Sequence, residues 1–153
     1  MDNFKSYFLK ERRVFLENIN YETVKGENRN EGERRLGCRD TVVSQLISPI
    51  GVKIIFNRRL NFEPEAIFTL SVSFGVFMLF DPARRDEVDW NEVNIVKEFT
   101  KDCPEILTEL TSRATLLTAQ ITSAAGNTPI ITAVPVRKMN ESGESPRTEE
   151  STD

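Results

Sequence analysis

Five carboxylates, Asp81, Asp86, Glu87, Asp89 and Glu92, crowd one short stretch of the sequence, a density that elsewhere holds a metal ion or shares a proton. Here they lead into an apolar stripe at helical spacing. Asp89 with Glu92 three residues on has the form of a helix N-terminal capping box, so the run reads as a solvated cap. Arg58-Arg59 and Arg84-Arg85 are basic pairs with no glycine-rich phosphate loop and no interleaved aromatics, and read as surface charge. Gly75 stands alone and matches no nucleotide fingerprint. The chain contains no histidine, which removes Ser-His and Cys-His nucleophiles and every His-ligated metal site. Cys38 and Cys103 are too few for a zinc cage, form no Cys-x-x-Cys pair and read as ordinary packing or surface residues. No catalytic constellation results, and neither enzymatic activity nor a cofactor is expected.

What remains is apolar surface. Ten of the aromatic residues are Phe, against two Tyr and one Trp, which gives bulk with few hydrogen-bonding handles. The 153 residues suit one domain, and a net charge of −4 argues against sequence-independent nucleic-acid binding, which depends on neutralising phosphates. The first thirteen residues are charged throughout, without the apolar core of a signal peptide. The longest apolar run, Val76 to Phe80, falls far short of the roughly 18 residues of a membrane span. These features predict a cytoplasmic protein with reduced thiols and no membrane insertion.

The elements that must position this surface follow from periodicity. Arg12 to Glu22 reads as a strand with Phe15, Ile19 and Tyr21 on one face. Lys25 to Gly37 is a polar loop, and Thr41 to Ile47 a short strand ending at Ser48-Pro49. Val52, Ile54, Phe56, Leu60 and Phe62 alternate with polar residues, with Arg58 breaking the apolar face and Ile55 the polar one. After a turn at Glu63-Pro64-Glu65, Phe68 to Phe74 alternates strictly, predicting an antiparallel hairpin. Beyond Gly75 the alternation stops: Val76, Phe77, Met78, Leu79 and Phe80 are all apolar, and such a strand needs a second cover.

Val93, Val96 and Phe99 carry a short helical stripe, and Pro104 suits the first turn of a new helix. From there Ile106, Leu107, Leu110, Ala114, Leu117, Ile121 and Ala125 recur at spacings of three and four, up to a stop at Gly126-Asn127. That helix spans about 22 residues, ~33 Å. Its other faces carry small hydroxyl residues in place of Lys and Glu, which predicts cover on more than one side. Thr128 to Val136 reads as extended, and residues 137–153 as a disordered polar tail after a single domain over 1–136.

The ordered set of segments resembles the SecB-type export chaperones. Arg13 to Glu22 is similar to the family's first strand. Gly75-Val76-Phe77 resembles the Gly-Ile-Phe before its helical half. Cys103-Pro104-Glu105-Ile106-Leu107 resembles its Pro-x-Ile-Leu helix entry, and Ser112-Arg113-Ala114 its Ser-Arg-Gly or Ser-Arg-Ala segment. The resemblance implies an α+β fold, a four-stranded antiparallel sheet packed against a long helix, assembled as a homotetramer (a dimer of dimers). It implies ATP-independent holding of unfolded polypeptides in apolar grooves, and possible docking to the export ATPase. The chain departs from the family at Asn18, where an acid of the docking face is expected, while Glu22 keeps the other first-strand acid. The second helix is replaced by the polar tail.

The expected client surface is Phe15, Phe74, Val76, Phe77, Leu79 and Phe80, with Leu117 as an addition. The expected oligomer interface is Leu110, Ala114, Leu117 and Ile121, and Glu22 is the expected translocase-docking residue. Two alternatives stay open: a dedicated chaperone for one client such as an antitoxin, and a purely structural oligomeric module.

Overall fold

The period-two alternation of positions 52 to 80 builds the centre of the sheet. In the structure, a computed structural model, residues 1–24, 35–63 and 67–132 and the backbone of 144–150 are described. The strands are β1 (Phe8–Thr23), β2 (Arg35–Ile47), β3 (Gly51–Glu63), β4 (Phe68–Phe80) and β5 (Glu144–Glu150), in the order β1-β4-β3-β2-β5. All pairings are antiparallel. Between β4 and β5 come α1 (Ile95–Asp102) and α2 (Pro104–Ala124), which cover one face of the sheet.

Because side chains alternate across a strand, the even positions of β3 and β4 supply one buried wall, from Val52, Ile54 and Phe56 to Val72, Val76 and Met78. Ile106, Leu110 and Ala114 of α2 close that wall from above. An aromatic group seals its end: Phe8 and Phe80 stack at 5.1 Å between ring centres, and Trp90 lies 4.7 Å from Phe80. The odd positions face away from the helices and form an open face.

The expected four antiparallel strands are β1–β4, and the backbone of residues 144–150 adds a fifth at the β2 edge, pairing from Thr41↔Glu144 to Arg35↔Glu150. Backbone pairing does not require apolar side chains, and composition alone overlooks it. β2 begins at Arg35, inside the expected polar loop. The remainder of that loop (25–34), the turn at 64–66 and residues 133–143 and 151–153 lie outside the described residues. Asp89 does not cap the first helix. It accepts a hydrogen bond from Asn91 N in a local turn, whereas Asn94 Oδ1 accepts from Lys97 N (3.1 Å) and starts α1.

β1 changes phase along its length. Phe15 pairs with Gly75 and Leu16 with Phe74, but the register then shifts so that Asn18 meets Ser73, leaving Glu17 as an extra residue. Phe15 therefore lies on the open face, whereas Ile19 and Tyr21 turn to the helical side, where Tyr21 stacks on Phe68 at 5.3 Å. The single face expected for the three is split by the bulge.

Candidate functional site

The open face is graded from one end to the other. Across its apolar half runs the row Phe15–Gly75–Ile55–Val43, one residue from each of four neighbouring strands. The next rows place Phe77 between Arg13 and Lys53, and Leu79 beside Gly51 and Ile47. Gly75 leaves a trough that its neighbours fill: a Cβ there would lie 2.4 Å from Phe15 Cζ and 2.8 Å from Ile55 Cδ1. The Phe15 ring thus lies over glycine backbone, with Lys53 Nζ 5.5 Å from its centre and held by Glu17 at 3.1 Å. Phe15, Ile55, Phe77 and Leu79 are half-buried, and Val43 is 56% exposed. Apolar side chains from four strands thereby form one patch that no element among the described residues covers.

The other half of this face is polar. Asn57 Nδ2 donates to Ser71 Oγ (2.8 Å) and Ser73 Oγ (2.6 Å), filling the row between Asn18 and Thr41. Beyond it lies the row Asn20–Ser71–Arg59–Arg39. Glu22 is exposed opposite Thr69 at the same end.

The structure divides the expected client residues. Phe77, Leu79 and Phe15 come together on the open face. Phe74, Val76 and Phe80 face the helices and are buried, with Val76 beneath α2 and Phe80 inside the aromatic group, so these three belong to the chain's own core. The strand apolar on both sides finds half of its cover in its own helices. The expected interface divides as well. Leu110 and Ala114 are fully buried against the sheet and unavailable to a second subunit, while Leu117 and Ile121 are only partly covered. Leu16 and Ile19, on the helical side of β1 by register, and Leu116 of α2 are exposed.

The hydroxyl face of α2 has a use the sequence did not reveal. Arg58, expected at the surface, is fully buried. Its Nε and Nη2 donate to the two oxygens of Asp40 at 2.7 and 2.9 Å, and its Nη1 donates to Thr115 Oγ1 and Thr132 Oγ1, each at 2.7 Å. Thr122 Oγ1 accepts from Ile130 N at 3.0 Å. The segment after α2 is thus tied back onto the helix and to the strands below it. Both cysteines are buried thiols, and desolvation pushes that of Cys103 up to about 12, leaving it protonated and inert at neutral pH. Among the described residues no helix is long and apolar enough to cross a membrane, and no group of three or more His, Cys, Asp or Glu is placed to hold a metal ion.

No family model and no curated protein matches the sequence. Among solved structures, the chain is similar to the SecB-like chaperone Rv1957 of Mycobacterium tuberculosis, solved in complex with a ChAD peptide from the Rv1956 HigA1 antitoxin. The TM-score is 0.59 over 82% of this chain and 90% of that chain, at 8% identity. The chain has the SecB-like α+β fold, an antiparallel sheet with helices on one side.

Proposed function

We propose that this protein is an ATP-independent holdase of the cytoplasm whose open sheet face takes up apolar segments of unfolded polypeptides. The carrying observation is the uncovered apolar patch of Phe15, Val43, Ile47, Ile55, Phe77 and Leu79. At about 25 cal/mol per Å² of apolar area, several such contacts along one client chain sum to useful affinity without sequence selectivity. Assembly into a tetramer uses the helical side, where Leu117 and Ile121 are only partly covered and Leu16, Ile19 and Leu116 are exposed, and the sheet edge at β1, which among the described residues pairs with β4 alone.

Within this reading, a dedicated client is favoured over general export. A similar solved structure holds an antitoxin peptide, and Asn18 stands where an acid of the docking face is expected, with Arg39 and Arg59 on the same face as Glu22. Light scattering combined with an aggregation assay tests the function. The expected result is a mass near four chains and suppressed aggregation of a slowly folding client at stoichiometric chaperone. A monomer that leaves aggregation unchanged contradicts it, and an oligomer without suppression contradicts general holding and leaves the dedicated chaperone or the purely structural module.

A further inference from the structure

Arg39 and Arg59 stand directly opposite each other on β2 and β3, exposed on the open face. Like charges facing across a strand pair destabilise a sheet, with Cβ atoms only about 5 Å apart. Neither arginine has a hydrogen-bond or ion-pair partner among the described residues. By register, Glu22 and Glu63 share this face, and β5 sets Glu144 opposite Thr41 and Glu150 opposite Arg35; among the described side chains no carboxylate pairs with either arginine. In the same row Ser71 and Asn20 are neutral, and on its other side β2 pairs with β5 through Arg39↔Pro146.

The pair has a fixed distance from the apolar patch. Arg59 follows Ile55 by four residues on β3, and Arg39 precedes Val43 by four on β2. At about 3.4 Å per residue this is about 14 Å along the strands, and four residues of an extended chain span the same length. An even spacing also returns an extended client's side chains to the same side.

We propose that Arg39 and Arg59 form an anion-recognition site for a carboxylate side chain of the client, so that the preferred segment carries an apolar block with Asp or Glu four residues away. The inference rests on the open-face reading and supplies its selectivity. A polypeptide is favoured over nucleic acid because the apolar patch adjoins the site and the chain is itself acidic, with net charge −4.

Labelled peptides with one apolar block and a single Glu placed two, four or eight residues away, each with its Gln counterpart, test this by fluorescence anisotropy. The expected result is that Glu at four tightens binding about three- to tenfold over Gln at low salt, with the gain lost near 0.5 M salt. The Arg39→Gln/Arg59→Gln variant should lose that gain while binding the Gln peptide as before. Equal binding of Glu and Gln peptides at every spacing, with Gln peptides still bound, overturns the proposal and leaves the holdase reading intact. Failure of every peptide to bind, with no suppression of aggregation, overturns both. An oligonucleotide bound more tightly than the Glu peptide, in an arginine-dependent way, overturns the choice of polypeptide.

Discussion

An Asp40→Ala variant should lose roughly 3–5 kcal/mol of folding free energy, because it leaves the guanidinium of Arg58 buried without its counter-charge. Asp40 accepts two hydrogen bonds from Arg58, and both side chains are withdrawn from water beneath α2. A domain of this size has about 5–15 kcal/mol in total, so the loss removes a large part of its stability. Urea denaturation followed by circular dichroism reads it directly. The double variant Asp40→Val/Arg58→Met should recover most of the loss, because it removes the charge together with its partner. A single variant within about 1 kcal/mol of the parent would show that the pair is not buried as described. Thr115→Val and Thr132→Val are milder probes of the same network, each deleting one acceptor of Arg58 Nη1.

The largest functional effect is expected at Phe77. Phe77→Asp should abolish aggregation suppression and weaken client peptides roughly tenfold to hundredfold, the equivalent of one lost buried aromatic contact. The fold should tolerate the change. Phe77 is half-buried and lies in register between Arg13 and Lys53, which would support a carboxylate there. Unchanged mass and a retained cooperative urea transition are therefore part of the expected outcome. Loss of assembly would instead place Phe77 in a contact between subunits. The contrasting variant Val76→Asp should unfold the chain, since its side chain faces α2 and is fully buried.

Much of this arrangement was legible in the residues. The alternation through 52–62 and 68–74 specifies which side of β3 and β4 is buried, and Pro104 with the three-four spacing after it gives α2 nearly to its ends. The same parity placed position 58 on the buried face. In sequence Arg58 nevertheless reads as surface charge, because its compensation comes from another strand and a helix: Asp40 lies eighteen residues earlier, and Thr115 lies on α2. Matching even parity at Asp40 and Arg58, each flanked by apolar neighbours two residues away, is the signal that could have found the pair.

Two other features leave weaker traces. The bulge at Glu17 reverses the phase of β1, so a period counted straight through from Phe15 to Tyr21 assigns both to one face when they lie on opposite ones. β5 carries almost no apolar residues, and its existence depends on the free edge of β2 more than on its own composition. The proposed client surface is visible in the sequence as a run of residues but not as a face. Val76 to Phe80 marks where the apolar content lies, while strand pairing decides that Phe77 and Leu79 join Phe15 and Ile55, and that Val76 and Phe80 do not.

The most direct test of open-face binding is site-specific photo-crosslinking to an unfolded client. A photoreactive phenylalanine analogue would replace either Val43, exposed in the apolar row of the open face, or Leu116, exposed on α2. Open-face binding predicts client adducts from position 43, competed away by apolar peptides, and adducts to a second copy of this chain from position 116. Client adducts from position 116 with none from position 43 would contradict it and move the client site to the helical side.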